Sequence, residues 1–246
     1  MTDTPADELK PRFRSDVTVE LIKHTASDAD VLFAARVSTA GEQSLDELQK
    51  DPERSKGLIN YLMRDRHGSP FEHNSMTFFI SAPIFVFREF MRHRVGWSYN
   101  EESGRYRELE PVFYVPDASR KLVQEGRPGK YVFVEGTPDQ LDLTSRTMED
   151  SYRGAYEAYR EMLAAGVARE IARAVLPVGL FSSMYATCNA RSLMHFLGLR
   201  TQHELAKVPS FPQREIEMVG ERMEAEWARL MPLTHAAYNA NGRVAP

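Results

Sequence analysis

The stretch TPDQLDLTSRTMEDSYRGAYEAYREMLAAG, residues 137–166, predicts a long amphipathic helix. Thr137, Pro138 and Gln140 occupy the N-cap, first and third helical positions of a capping box. Apolar and aromatic side chains then recur at helical spacing until Gly166, and glycine commonly follows the last turn of a helix. One face of this helix is therefore apolar and requires a second layer of structure to cover it.

The rest of the chain combines further helical patterns with shorter strand patterns. Strand patterns cover residues 17–22, 75–81, 110–116 and 180–187. Helical patterns cover residues 28–38, 55–66, 83–92, 168–176, 190–199 and 210–231. Helices outnumber strands and the two do not alternate regularly, so the pattern predicts an α+β fold, with a mixed or antiparallel sheet flanked by helices.

We assign residues 1–246 to a single domain, because no repeat or linker divides the pattern. Residues 1–15 and 239–246 are polar and are predicted to be loose tails. A polar connector surrounds Gly41. Residues 117–136 are predicted to form a long irregular connection.

Composition narrows the possible functions. The chain has 246 residues, 42% of them apolar, so it can bury a core. Its formal net charge is -4, so it lacks a global polycationic face that would bind nucleic acid. No apolar run reaches the ~18 residues of a membrane span, and the first residues lack the apolar region of a secretion signal. The single cysteine, Cys188, suits a reducing compartment. We expect a cytoplasmic protein that binds neither membrane nor nucleic acid.

A second stretch, FMRHRVGWSYNEESGRYR at residues 90–107, concentrates polar side chains after a predicted helix end. Cations at a helix C-terminus complement the helix dipole, and this would explain one or two of the arginines. Ser103, Gly104 and Arg105 add a hydroxyl, backbone freedom and a guanidinium group, which surround phosphates in many proteins. The spacing alone leaves both interpretations open. The common phosphate-loop and dinucleotide-binding glycine patterns are absent.

Two further polar segments are candidates for chemistry. HGSPFEH, residues 67–73, groups histidines with a carboxylate, but its spacing fits no zinc motif, so we expect no metal and favour a turn in which Glu72 caps a neighbour. In NARSLMHFLGLR, residues 189–200, Asn189 is a natural N-cap, and Arg191 and His195 share one helix face. Cys188 is interpreted as a small buried residue.

Together these segments resemble the flavin-dependent thymidylate synthases. RHR followed by SYNEESGRY is similar to that family's signature, and AARVS, HGSPFEH, APIFVFREFMRHR, ARAVLP and NARSLMHFLGLR resemble family segments in family order, across residues 17–227. Members methylate dUMP with methylenetetrahydrofolate, FAD and NADPH. The resemblance implies the family fold, FAD as cofactor, no cysteine nucleophile, and a homotetramer in which the SGR segment comes from a neighbouring subunit.

The resemblance also implies roles for individual residues. Those expected to contact FAD are Ser69, Glu72, His93, Arg94, Val95, Glu101, Asn189, Arg191 and His195. Those expected to contact dUMP are Glu89, Arg92, Glu101, Glu102, Ser103, Gly104, Arg105, Arg173 and Arg200. Arg200 is the main catalytic candidate, because a cation at the uracil edge favours loss of the N3 proton. Reduced flavin carries negative charge, and His93, Arg94 and Arg191 are the cations expected to stabilise it.

The chain departs from the family pattern at several positions. Residues 95–102 between Arg94 and Ser103 are one more than the pattern has, and the extra residue falls most simply within residues 95–97. Glu89 stands where glutamine is common, and a carboxylate cannot donate the hydrogen bond of an amide. His195 stands where asparagine is common. The segment 201–212 is longer than expected.

Two other classes of protein remain open at this point. An RNA-binding module would use the arginines of residues 90–107 for phosphate contacts and the aromatic rings there for base stacking, and would bind no flavin. A metal-dependent nucleotide phosphohydrolase would use the histidines and carboxylates, and would require a divalent metal but no NADPH.

Overall fold

The computed structural model describes residues 10–40, 52–127 and 130–246. The predicted connector around Gly41 lies outside the described residues. Those that are described form two compact units, one of residues 10–16, 82–85, 102–127 and 130–182, the other of residues 17–40, 52–81, 86–101 and 183–246. Our assignment of a single domain stays a prediction.

Helices and strands follow in this order along the described residues. The elements are β1 Arg12–Arg14, β2 Thr18–His24, α1 Asp28–Ala40, α2 Pro52–Arg64, β3 Met76–Pro83, α3 Ile84–Phe90, β4 Trp97–Glu101, β5 Val112–Tyr114, β6 Val123–Arg127, β7 Lys130–Val134, α4 Pro138–Ala164, α5 Arg169–Ala172, β8 Phe181–Cys188, α6 Ala190–Arg200, α7 Arg214–Leu230 and α8 Pro232–Ala240. Short 3-10 turns cover Ser69–Glu72 and Arg173–Val175. The predicted α+β class is confirmed. Among the described helices, none is long and apolar enough to cross a bilayer.

The second unit is built on a four-stranded sheet in the order β2, β3, β8, β4. β2 pairs antiparallel with β3, and β4 pairs antiparallel with β8, with Trp97 opposite Cys188. β8 ends at Cys188 and α6 begins at Ala190, so this pairing brings the start of α6 beside the turn that leads into β4. The sheet thereby joins two of the polar segments found in the sequence.

Helices α6 and α7 supply much of the core of the second unit. Leu193, Phe196 and Leu197 of α6 are fully buried, as are Val219 and Trp227 of α7, and the two helices contact each other. Complete burial of each such side chain stabilises the fold by about 1.5–3 kcal/mol. The backbone of α6 is therefore firmly held.

The first unit packs α4 against a small parallel pair of strands. β1 pairs with β5 in parallel, with Arg12 opposite Val112. Tyr152, Tyr156 and Tyr159 of α4 form a buried cluster with Phe113 of β5. The predicted capping box is confirmed at Thr137, and Gly166, with φ of +82°, follows the helix end. The strand β1 corrects part of our prediction of a loose tail, because residues 12–14 pair with β5.

Three other predictions of secondary structure are wrong. The helix expected to run from residue 83 to residue 92 ends at Phe90, because the chain tightens there: the amide of His93 donates to the carbonyl of Phe90, three residues back. The stretch after Arg94, where no strand was predicted, contains β4. The connection expected to be irregular contains the antiparallel hairpin of β6 and β7, whose polar β6 gave little strand signal.

The C-terminal end also differs from prediction. The helix expected from residue 210 begins at Arg214, and α8 follows it without having been predicted. The predicted loose tail 239–246 is ordered by one side chain, since Arg243 is buried and its guanidinium binds both carboxylate oxygens of Glu224 at 2.6 and 2.7 Å. A lone arginine in a polar stretch does not reveal a buried partner 19 residues earlier.

Candidate active site

The turn that carries the RHR motif, residues 92–94, packs against the start of α6. Gly96 has φ of +70°, and a Cβ there would lie 2.1 Å from Oγ of Ser192. The Ser192 hydroxyl donates to the carbonyl oxygen of Val95 at 2.9 Å. Val95 itself is 90% exposed. The region where we expected the extra residue is therefore a tight turn fixed by α6.

Aromatic side chains of β4 hold this turn from the other side. The hydroxyl of Tyr99 donates to the carbonyl oxygens of His93 at 2.7 Å and Phe90 at 3.2 Å. The Trp97 ring stacks on Tyr99, with centroids 5.7 Å apart. Burial, followed by the nearby Cys188, raises the pKa of Tyr99 above its ordinary value, so the phenol stays a donor.

Arg200, at the end of α6, contacts both Glu89 of α3 and His93 of the RHR turn. Its NH1 pairs with the carboxylate of Glu89, and its Nε donates to Nε2 of His93 at 3.1 Å. One connected row therefore contains Arg200, the predicted catalytic residue, with Glu89, predicted to contact dUMP, and His93, predicted to contact FAD. The predicted contact of Glu89 with dUMP stays a prediction, and in this structure its carboxylate is used by Arg200.

The protonation state of His93 follows from this row. Burial, then the charges of Arg200 and His195, lower the pKa of His93 to about 4. A guanidinium group only donates hydrogen bonds, so Nε2 of His93 must accept and the ring proton must sit on Nδ1. Near neutral pH the His93 ring is therefore neutral in this structure, and its expected role as a cation beside reduced flavin, like those of Arg94 and Arg191, stays a prediction.

We expect His93 to stay neutral, with its proton on Nδ1, when the pH is lowered from 7 towards 5. The folded chain then binds fewer protons at this site than an unfolded chain, whose histidine titrates near 6.5, so the site loses stability as the pH falls from about 6.5 to about 4. Nitrogen-15 NMR of the imidazole, assigned with His93→Gln, measures both properties. A resonance that titrates near pH 6.5 would contradict the assignment.

A second cluster joins the HGSPFE segment to the start of α6. The predicted N-cap is confirmed, since the side chain of Asn189 accepts from the amide of Ser192 at 2.8 Å. Arg191 NH1 donates to Oε1 of Glu72 at 2.5 Å. A Cβ on Gly68 would lie 2.5 Å from Cζ of Arg191, so any other residue here would displace the guanidinium from its present position. Glu72 pairs with Arg191 instead of capping a neighbouring turn.

A cation that we did not predict belongs to this cluster. Arg66, two residues beyond α2 and with φ of +64°, donates to the carbonyl oxygens of Val244 and Ala245. Burial, then the charges of Arg191 and Arg66, lower the pKa of His195. In the sequence, Arg66 looked like an ordinary basic residue at the end of a helix, so no signal marked it.

The predicted phosphate-binding segment lies in the first unit. The amide of Arg105 donates to Oγ of Ser103 at 3.3 Å, and the guanidinium of Arg105 pairs with Glu170 at 3.0 Å. Gly104 is buried, and a Cβ there would lie 2.9 Å from Leu109 and 3.2 Å from Cδ of Arg173. The structure thus brings four predicted dUMP residues together: Ser103 and Arg105 share a hydrogen bond, and Arg173 lies against Gly104.

This segment borders an open depression of about 310 Å³. The lining residues are Arg105, Tyr106, Ala168, Arg169 and Glu170. Arg105 and Arg169 give it two guanidinium groups against one carboxylate, and the Arg105 guanidinium lies 5.8 Å from the Tyr106 ring centroid. The excess of one positive charge suits an anion. Glu102 lies beside it in sequence, 3.8 Å from Arg107.

Cys188 and the possible metal ligands are the remaining reactive groups of the described residues. Cys188 is buried, and burial raises the pKa of its thiol above the ordinary value, which leaves little thiolate. Within residues 10–40, 52–127 and 130–246, no group of three or more His, Cys, Asp or Glu side chains is arranged to hold a metal ion.

The sequence matches a family model over most of its length. Residues 20–233 match the family described as thymidylate synthase complementing protein. Two similar proteins are flavin-dependent thymidylate synthases, from Streptomyces avermitilis at 90% identity and Streptomyces coelicolor at 86% identity, each over the full length of both chains. A third, from Tropheryma whipplei, is 58% identical over 97% of this chain and 98% of its own.

Solved structures show the same fold. The UMP/dUMP methylase PolB from Streptomyces cacaoi, bound with 5-Br UMP, is 57% identical with a TM-score of 0.88, over 96% of this chain and 99% of its own. Its structure bound with 5-Br dUMP is 58% identical with a TM-score of 0.89, over 95% of this chain and 99% of its own.

Proposed function

The chain belongs to the flavin-dependent thymidylate synthase family, and from that premise we propose that it methylates dUMP to dTMP with a bound flavin. The observation that carries this conclusion is the family match over residues 20–233, which includes every site residue predicted from the sequence. Relatives that are 86% and 90% identical over the whole chain support the same reaction.

The dUMP phosphate is proposed to bind at Ser103, Gly104 and Arg105, with Arg173 beside them. Charge-assisted hydrogen bonds to a phosphate contribute about 1.5–3 kcal/mol each. The present partner of Arg105 is Glu170, and both side chains are about half exposed, at 53% and 52%. Such surface pairs contribute about 0–1 kcal/mol, so a phosphate competes well for this guanidinium group.

The uracil ring is proposed to meet Arg200. This guanidinium group is held by Glu89 and by neutral His93, so its position is fixed before substrate arrives. A fixed cation at the edge of uracil stabilises negative charge on the ring and polarises it for methylation. Of the three side chains, Arg200 alone is positively charged near pH 7, which makes it the catalytic residue in this proposal.

The flavin is proposed to be FAD, held by the cluster around Arg191. The donors fit an anionic dinucleotide: guanidinium groups of Arg191 and Arg66 lie near His195, and the absence of a Cβ on Gly68 leaves room for the Arg191 guanidinium. The exposed hydroxyl-bearing Ser69 lies next to Gly68. When bound, the flavin supplies the reducing equivalents for the new methyl group.

We propose the co-substrates, the location and the assembly from the same family membership. Methylenetetrahydrofolate supplies the carbon, NADPH reduces the flavin, and the enzyme works in the cytoplasm as a homotetramer in which Ser103, Gly104 and Arg105 of one subunit serve the site of another. The exposed position of Arg105 supports a contact outside its own chain.

A visible spectrum of the purified protein tests the flavin, and a dTMP assay with dUMP, methylenetetrahydrofolate and NADPH tests the reaction. We expect flavin absorbance bands and dTMP formation that requires NADPH. A colourless protein that gains no activity with added FAD would refute the proposal. Salt-sensitive RNA binding without flavin would favour the RNA-binding class instead.

UMP should be included in this assay as a competing substrate, because the similar protein from Streptomyces cacaoi is a UMP/dUMP methylase at 57% identity. We expect a preference for dUMP of at least about tenfold in kcat/KM, since a single extra hydroxyl changes binding by roughly that order. Equal values for both nucleotides would place this chain's activity with that of the UMP/dUMP methylase.

A further inference from the structure

The last residues of the chain are held by a buried anchor. The Arg243 side chain is 1% exposed and pairs with both carboxylate oxygens of Glu224, and it also donates to the side chain of Asn239 at 2.8 Å. Residues 244–246, which we call the terminal segment, follow this anchor directly. Their course over the second unit is therefore fixed at its start.

The terminal segment contacts the flavin cluster through main-chain oxygens. Arg66 NH1 donates to the oxygens of Val244 at 3.1 Å and Ala245 at 2.6 Å. Arg191 Nε donates to the oxygen of Pro246 at 2.6 Å. Pro246 is buried. Three consecutive residues thus each offer a backbone oxygen to one of two guanidinium groups.

These contacts restrict how the Arg191 guanidinium can turn. Its Nε edge meets Pro246, its NH1 meets Glu72, and its face lies over Gly68. Without Pro246, the partly exposed pair with Glu72 would remain, and such a pair holds a side chain only weakly. The planar guanidinium group donates in a fixed fork, so its orientation decides which ligand atoms it can reach.

We propose that the terminal segment is a positioning element of the flavin site: its main-chain oxygens orient Arg191 and Arg66 so that their remaining N–H groups face the phosphates of the cofactor. The inference rests on the proposed role of Arg191 in binding FAD. Fixing the donors before the ligand arrives lowers the entropy lost on binding. Because oxygens of the backbone do the work, the length of the segment matters and its side chains matter little.

Removal of residues 244–246 tests this proposal and keeps the anchor Arg243. We expect the truncated apoprotein to bind FAD about tenfold more weakly, as measured by quenching of flavin fluorescence. A length-preserving double variant, Val244→Ala with Pro246→Ala, restores the main-chain oxygens and is expected to bind within about twofold of the full chain. Thermal unfolding of each apoprotein checks that the fold is intact.

Arg191→Ala separates this proposal from the one on which it rests. If Arg191→Ala leaves FAD binding unchanged, the proposed flavin site is wrong. If Arg191→Ala weakens binding and the truncation does not, the positioning role is wrong, and it is also wrong if the double variant weakens binding as much as the truncation. Should the truncated protein unfold early, Arg66→Gln decides: weaker FAD binding supports the proposal, and unchanged binding overturns it.

Discussion

Replacing Arg200 with alanine should lower kcat for dTMP formation by about 100- to 1000-fold while FAD still binds. Arg200 is the one cation in the row that it forms with Glu89 and His93, because burial and the charge of Arg200 keep the pKa of His93 near 4. Its loss removes the positive charge proposed to stabilise the polarised uracil. Single-turnover kinetics and flavin titration measure the two effects separately.

Arg200→Ala should also change the NMR titration of His93. The charge of Arg200 is one cause of the lowered pKa of His93, so its removal should raise that pKa towards 6.5, and the imidazole should become easier to protonate. Leu199→Ala is the matched control, since Leu199 is the neighbouring exposed residue of α6 and should leave kcat and the His93 resonance unchanged. Unchanged turnover in Arg200→Ala would remove this residue from the mechanism.

Replacing Arg243 with alanine should lower the free energy of unfolding by about 3–5 kcal/mol. The substitution leaves the carboxylate of Glu224 mostly buried and takes away two of its hydrogen bonds, so that His235, at 2.8 Å, is its remaining partner among the residues that the structure describes. Chemical denaturation with a two-state fit measures the change. Arg229→Ala on α7 is the control, because the Arg229 side chain is 68% exposed, and a change of less than about 0.5 kcal/mol is expected.

The pH dependence of the free energy of unfolding identifies Glu224 as the buried carboxylate that Arg243 stabilises. Burial alone would raise the pKa of Glu224, but hydrogen bonds from Arg243 and His235 outweigh it and lower that pKa to about 2, against 4.5 when unfolded. The pair therefore stabilises the fold fully above about pH 4.5, and this contribution is lost as the pH falls towards 2. Arg243→Ala should flatten that part of the pH profile, and an unchanged profile would contradict this assignment.

Local sequence signals predicted those features that depend on near neighbours. The capping box at Thr137 and the N-cap at Asn189 were correct because each requires only side chains and amides three residues apart. The α+β class followed from the periods of the apolar residues. Predictions failed where polar residues pair across the chain, as in the hairpin of β6 and β7, and where one arginine finds a buried partner, as at Arg243.

The sequence alone therefore determined the helix boundaries with strong caps, the family resemblance, and the chemical types at the site. Tertiary structure decided which of those groups share a contact. Arg200 meets His93 across 107 positions, and Arg66 meets Ala245 across 179. Such contacts depend on the pairing of β4 with β8 and on a buried anchor for the terminal segment. Charge and hydrogen bonding act over a few ångströms in space, whatever the separation along the chain.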